Sequence, residues 1–398
     1  MDLERYIARH HSQRPKSAPT FLNHAGASLP DARVIERITT HLELERRVGG
    51  YAAASEVSEE RSELGVLAAE IVGCVPEQIA LVDSGTRAWN AILYSSLGLS
   101  SGDNIVTAPY EFGSNLVSLL DVARSAEAEV RFAELTPSGS IDTDSLIESV
   151  DERTKLVAVS ILNAHFGAVT HLHGVGEQVH RQNPDCIFLV DGCQAVGQLP
   201  VNIDSIGCDV FTATGRKWLR GPRGTGFLYV GSESLERLRP PSLDLINTDL
   251  VPADEFGNSS LSIRPDVKRF ESWERSIAIE LGFIESLRIA NGLGIAATSE
   301  RVAALARRLR SGLEGSQFRV LEETDEPSGI VGLVSAHTAA DEIVNRMRGK
   351  GFEIGAMHEW DAPLYFSKFG LDSTLRISAG FLNSEEEIDQ CLEHLTDM

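Results

Sequence analysis

Residues 186–230 read "CIFLVDGCQAVGQLPVNIDSIGCDVFTATGRKWLRGPRGTGFLYV". Three apolar runs are set in this stretch. The first ends on Asp191, the second (210–215) runs into Arg216 and Lys217, and the third (226–231) follows a turn rich in Gly and Pro. Residues 201–207, between the first two runs, read as a helix. Runs that are apolar on both faces and spaced by helices are strands of a buried, mostly parallel sheet. Toward the N-terminus the same alternation continues, with strands at 78–83, 104–110, 129–135 and 155–162 and helices at 86–98, 114–125, 143–150 and 172–182. Seven strands alternating with helices define an α/β fold.

The flanks have a different texture. Residues 1–20 read as an arm or first helix, and 31–72 as helical with an interruption at "VGGYAAA" (48–54). Residues 240–265 are rich in Pro and Asp and read as connecting loops; 273–315 is a long helical stretch; the tail mixes strand and helix patterns. The expected organisation is an arm (1–20), a large sheet domain (21–260) and a smaller α+β domain (261–398). A chain of 398 residues suits that division at roughly 100–200 residues per domain.

Composition narrows the function. The formal net charge is −22, which argues against nucleic-acid or anionic-membrane partners, since phosphate contacts need an excess of Lys and Arg. No apolar run reaches the ~18 residues that span a bilayer. The five cysteines (Cys74, Cys186, Cys193, Cys208, Cys391) form no CxxC pair, which reads as reduced thiols in a cytoplasmic setting. Four histidines in 165–180 lack a Cys or carboxylate at ligand spacing, so no metal site is expected.

In an open α/β sheet, ligands bind beyond the carboxyl ends of the strands, so the polar residues ending the apolar runs are the candidates. Asp191 closes a buried strand, where a carboxylate is costly without a partner. It is either a capped or salt-bridged core residue or the counter-charge of a cationic ring nitrogen, and Gln194 can reach the same ligand. "DSGT" (83–86) places Ser84, Gly85 and Thr86 where a strand turns into a helix, an anion site built from free N–H groups and the helix dipole. Ordinary N-capping by Ser84 or Thr86 explains the same residues. Thr214 and Arg216 can complete a phosphate cup. Lys217 reads as a surface charge, a phosphate clamp or an imine-forming amine, whose pKa a desolvated site beside Arg216 would lower. The glycines of "GPRGTG" follow the lysine, so a P-loop does not fit. In "IVTAPYEFGSN" (105–115) the rings of Tyr110 and Phe112 can lie on a heterocycle or pack in the core.

A phosphate site, a carboxylate for a ring nitrogen, a stacking aromatic and a strand-end lysine together match the needs of pyridoxal phosphate. At these residues the chain resembles the class V aminotransferase-like, fold-type I enzymes that use this cofactor. The shared pattern is D-x-x-Q, [ST]-x-[HR]-K and G-P-x-G-x-G, and "FLNHAGASLP" (21–30), "DSGT" and "TLRISAGFLNSEEEID" (374–389) extend it over most of the chain. The resemblance implies a Schiff base and proton shuttle at Lys217, Asp191 on the ring nitrogen and Gln194 on the ring hydroxyl. It implies Gly85, Thr86, Thr214 and Arg216 around the phosphate, Phe112 stacked on the ring, and Arg376 on the carboxylate of an amino-acid substrate. Asn23, His24 and His165 are expected near the substrate. A homodimer is also implied, with "KRFESWERS" (268–276) near the partner's phosphate site.

Desulfurases of this family carry a cysteine on a loop shortly before the arginine block. The corresponding stretch here, "IGAMHEWDAPLYFSKFG" (354–370), has none. The expectation drawn from this is a lyase rather than a persulfide-forming cysteine desulfurase. "RRVGGYAAASE" (46–56), "YEFGSNL" (110–116) and "NAHFG" (163–167) are similar to hercynylcysteine sulfoxide lyases and are shared in part by isopenicillin N epimerase-like enzymes. The expected reaction is β-elimination at a C–S bond giving pyruvate and ammonia, with epimerase or racemase and aminotransferase chemistry as alternatives.

Overall fold

All seven predicted strands form and join one sheet: β1 (Ile79–Val82), β2 (Asn104–Thr107), β3 (Glu129–Phe132), β4 (Thr154–Ser160), β5 (Ile187–Asp191), β6 (Val210–Thr214) and β7 (Gly226–Val230). The structure, a computed structural model, describes residues 1–15, 17–95, 97–251, 260–322 and 328–398. The strand order is β1-β7-β6-β5-β4-β2-β3. β7 runs antiparallel to both of its neighbours, and the other pairs are parallel.

Both faces are covered. Ile105, Leu156 and Leu189 pack with Trp89, Leu93 and Leu119 on one side. Their chain neighbours Val106, Val157 and Phe188 join Phe211, Phe227 and Phe283 on the other. Successive residues point to opposite faces, so every position of β1, β2, β6 and β7 is buried. The edge strand β3 is only partly covered. The connections carry the helices Gly85–Leu93, Gly113–Ala126, Thr143–Glu148, Val175–Gln182 and Ile203–Ile206.

The long helical stretch expected over 273–315 is two helices, Ile277–Leu293 and Ile295–Gly312. Gly294 between them has φ +82°, which breaks the helical hydrogen bonding at a residue that tolerates it. The loops expected over 240–265 contain a short antiparallel pair, Thr248–Val251 with Ser260–Ile263. Leu250 stands opposite Leu261 across that pair, an apolar cross-strand contact hidden by the Pro- and Asp-rich surroundings. The residues between, 252–259, lie outside the described ones.

A second sheet is antiparallel throughout: β8 (Phe318–Val320), β9 (Ile330–Ser335), β10 (Gly355–His358) and β11 (Ser373–Ser378), in the order β8-β9-β11-β10. The helices Ala340–Gly349 and Glu385–Thr396 cover it through Ile343, Met347, Ile388 and Leu395. Thr20–Phe21 pairs in parallel with Phe352–Glu353, and Asn23 bridges to Ser378. This pairing carries "FLNHAG" to the same strand as Arg376.

Candidate active site

The carboxyl ends of β1, β2, β4, β5 and β6 open on a cavity of ≈ 390 Å³, closed on its far side by β10, the segment after it and Arg376 of β11. Lys217, Asp191, Gln194, Gly85, Thr86, Phe112, Thr214, Arg216 and Arg376 all line it. Residues separated by almost 300 positions in the chain thus meet at one point, where parallel strands end side by side.

Asp191 is firmly held. Its Oδ1 accepts from the Cys193 N–H (2.8 Å) and from the Thr212 hydroxyl (3.2 Å), and its Oδ2 from Asn115 Nδ2 (2.9 Å). Gln194 receives the indole N–H of Trp218 on Oε1 (3.0 Å) and donates through Nε2 to the Ala25 carbonyl (3.2 Å). At the turn after β1 the Ser84 hydroxyl caps the helix Gly85–Leu93, accepting from the Arg87 N–H at 3.2 Å. The helix therefore points its N-terminus into the cavity at Gly85 and Thr86.

Lys217 is buried, and burial lowers its ammonium pKa to about 8. Cys193 and Asp191 oppose that shift, while Arg216 and Arg376 add to it. Removal from water, rather than the neighbouring arginine, is the main cause. Arg216 is also lowered by burial, and one of its guanidinium nitrogens donates to the Gly26 carbonyl. Arg376 donates to the Ala164 carbonyl (2.9 Å) and to Asn23 Oδ1 (3.2 Å). Burial lowers it to about 10, Asp361 favours its charge and Arg216 opposes it, so it stays cationic at neutral pH.

Of the two aromatic candidates, Tyr110 belongs to the core. Its hydroxyl donates to the Ser160 carbonyl (3.2 Å), and its ring meets Phe166 edge-on. Phe112 is the half-buried ring at the mouth, at the head of the helix Gly113–Ala126. A Cβ on Gly113 would stand 2.1 Å from the Trp360 carbonyl oxygen, so glycine lets the 359–361 segment close over that helix end.

Three predicted residues do not line the cavity wall. Asn23 stands behind Arg376 as its hydrogen-bond acceptor. His24 is buried, paired with the Ser28 hydroxyl (2.9 Å) and stacked on Trp218, and burial lowers its pKa to about 3. His165 is buried edge-on to Phe366 and is likewise lowered to about 3 by burial and then by Arg376. Glu111, Asn115, Ser160, His358, Trp360 and Asp361 escaped the sequence reading. The four-residue spacing of Glu111 and Asn115 at a helix start was the available signal for the first two.

The residues fit pyridoxal phosphate. Among the described residues, two lining side chains hold buried donors with no partner, Arg376 Nε and Asn163 Nδ2. The donor set suits the group: a helix N-terminus with Thr86, Thr214 and Arg216 for a phosphate, a carboxylate for a pyridinium and an amine for an aldehyde.

The class-V aminotransferase family model matches residues 20–391, and the chain belongs to that family, with pyridoxal phosphate as its cofactor. A probable cysteine desulfurase of Xylella fastidiosa (strain Temecula1) is 25% identical over 348 residues, 87% of this chain and 82% of that protein. The solved apo cysteine desulfurase of Thermococcus onnurineus NA1 superposes with a TM-score of 0.87 at 21% identity, over 95% of this chain and 94% of that one. The cystine C–S lyase C-DES, in complex with its product cysteine persulfide, gives 0.84 at 21% identity over 96% and 98%. The two structures establish the fold.

The curated cysteine desulfurases and the desulfurase structure contradict the expectation that the chain is not a cysteine-persulfide desulfurase. That expectation rested on one thiol missing from 354–370. That stretch lacks a thiol to take up the sulfur as the bond breaks, but the acceptor can be another thiol, and its absence there leaves Lys217, Asp191 and Arg376 together in the cavity.

Proposed function

We propose that the protein cleaves the carbon–sulfur bond of a cysteine-type amino acid, the reaction class of the cysteine desulfurases it is similar to. The observation that carries this is the single cavity in which Lys217, Asp191 and Arg376 converge. Arg376 binds the substrate carboxylate through its unpartnered Nε, held in place by Ala164 and Asn23. Lys217, with its pKa near 8, has an accessible neutral form at neutral pH and takes the Cα proton on Nζ. Pyridoxal phosphate, once bound, supplies the electron sink for the charge left at Cα. Asp191 would hold the proton on the ring nitrogen, oriented for that task by its three hydrogen bonds. Thr86, Thr214, Arg216 and the helix N-terminus would hold the phosphate, Phe112 would cover the ring and Gln194 would reach its hydroxyl.

The active form we propose is a homodimer in the cytoplasm. Exposed Tyr94, Val117 and Leu120 around the helices Gly85–Leu93 and Gly113–Ala126 support the dimer, and five free thiols suit a reducing compartment. Among the described residues no helix is long and apolar enough to cross a membrane.

The test is the loaded protein supplied with L-cysteine and a reducing thiol, with sulfide, alanine and pyruvate followed together. Equal amounts of sulfide and alanine are expected: the added thiol takes the substrate sulfur as a persulfide while the C–S bonding pair stays with carbon, and a second thiol reduces that persulfide to sulfide and a disulfide. No sulfide, or pyruvate in place of alanine, overturns the assignment.

A further inference from the structure

Behind Asp191 lies a second buried carboxylate that the reaction so far leaves unused. Glu111 is 1% exposed. Its Oε1 accepts from the Ser160 N–H at 2.6 Å and its Oε2 from the Ser160 hydroxyl at 2.7 Å. Asn115, four residues on, donates through Nδ2 to Glu111 Oε2 at 3.3 Å and to Asp191 Oδ2 at 2.9 Å. Two acceptor-only groups thereby fix the amide orientation, because the amide oxygen cannot face either. A neutral group donating to both also holds together two carboxylates that would otherwise repel.

Burial, then the Asp191 charge, pushes the Glu111 carboxyl up to about 7, while Ser160 and Asn115 pull it back. Asp191 is the charge facing Glu111 across Asn115; Tyr110, the preceding residue, turns its hydroxyl to the Ser160 carbonyl and Thr170. Lys217 lies beyond Asp191 on the cavity side. The arrangement points negative charge at the place where a pyridinium would sit.

We propose that Glu111, acting through Asn115, is a positioning residue for Asp191. The carboxyl–amide–carboxylate chain locks the Asp191 rotamer and, with Glu111 ionised, sets a second negative charge behind it, which strengthens the hold of Asp191 on the protonated ring nitrogen. This rests on the assignment of Asp191 to that nitrogen.

The test compares wild type, Glu111→Gln, Asn115→Ala, the double variant and Asp191→Asn. Two readouts are taken: the affinity of the apoprotein for pyridoxal phosphate, and the pH midpoint of the visible band of the bound cofactor. Glu111→Gln is expected to weaken cofactor binding about tenfold (~1.4 kcal/mol) and to move the midpoint in the same direction as Asp191→Asn. Asn115→Ala should do the same, and the double variant should be no worse than the poorer single one, because both cut one chain. If Asp191→Asn moves both readouts while Glu111→Gln and Asn115→Ala move neither, the inference is overturned and the Asp191 assignment stands. If Asp191→Asn moves neither, that assignment fails and takes this inference with it. Should Glu111→Gln not fold, Asn115→Ala, which leaves Glu111 on Ser160, decides by the same outcomes.

Discussion

Replacing Arg376 by lysine tests the substrate end of the cavity. The guanidinium is pinned by the Ala164 carbonyl at 2.9 Å and Asn23 Oδ1 at 3.2 Å, and its Nε is left over for a ligand. Lysine keeps the charge, but its single ammonium cannot satisfy both acceptors and still reach a carboxylate as a fork does. One hydrogen bond to a charged group contributes ~1.5–3 kcal/mol, so kcat/KM for sulfur release from L-cysteine should fall about 10- to 150-fold. The loss should fall mainly in KM if the contact is equal in the ground and transition states. Affinity for pyridoxal phosphate, measured in parallel, should hold, because Arg376 is assigned to the substrate and not the cofactor. A fall in kcat/KM of less than about threefold, or an equal loss of cofactor affinity, would refute the reasoning.

Three more expectations follow from the same geometry. In the apoprotein, labelling of Lys217 by an amine-selective reagent should rise with pH as the amine loses its proton, with a midpoint near 8 against the ~10.4 of exposed lysines; peptide mass spectrometry reads it. Asn23→Ala removes one of the bonds that hold Arg376 and should lower kcat/KM about fivefold, from the ~1 kcal/mol of a single hydrogen bond, with kcat little changed. Glu322→Ala strands the charge of Arg310, bonded to it at 3.1 Å in a buried pair. It should destabilise the fold by ~3 kcal/mol in urea unfolding while leaving the rate per folded molecule intact.

The sheet was legible in the sequence because its strands are buried on both faces: runs such as "CIFLVD" and "VFTATG" need no partner strand to be recognised. The cofactor pole was legible for a related reason. Asp191, Thr214, Arg216 and Lys217 sit at or just past strand ends, where chain position alone predicts convergence. The substrate pole was less so. Asn23 and Arg376 meet because Asn23 bridges to Ser378 on Arg376's own strand, a pairing between chain ends that no local pattern announces. His24 and His165 carry the residue type of a ligand-binding group but lie in the packing, one on Trp218 and the other on Phe366. Glu111 was hidden beside the more conspicuous Phe112, and its meaning depends on Ser160, at the end of a distant strand. The desulfurase exclusion failed differently, since a residue's absence from one segment was made to speak for the whole reaction.

The central claim is that Lys217 joins the cofactor in this cavity. Reducing the loaded protein with borohydride and mapping the product by peptide mass spectrometry tests it most directly. The account predicts one pyridoxyl-phosphate addition per chain, on the peptide containing Lys217. An addition on any other lysine, or none on a protein that shows the cofactor's visible band, would contradict it.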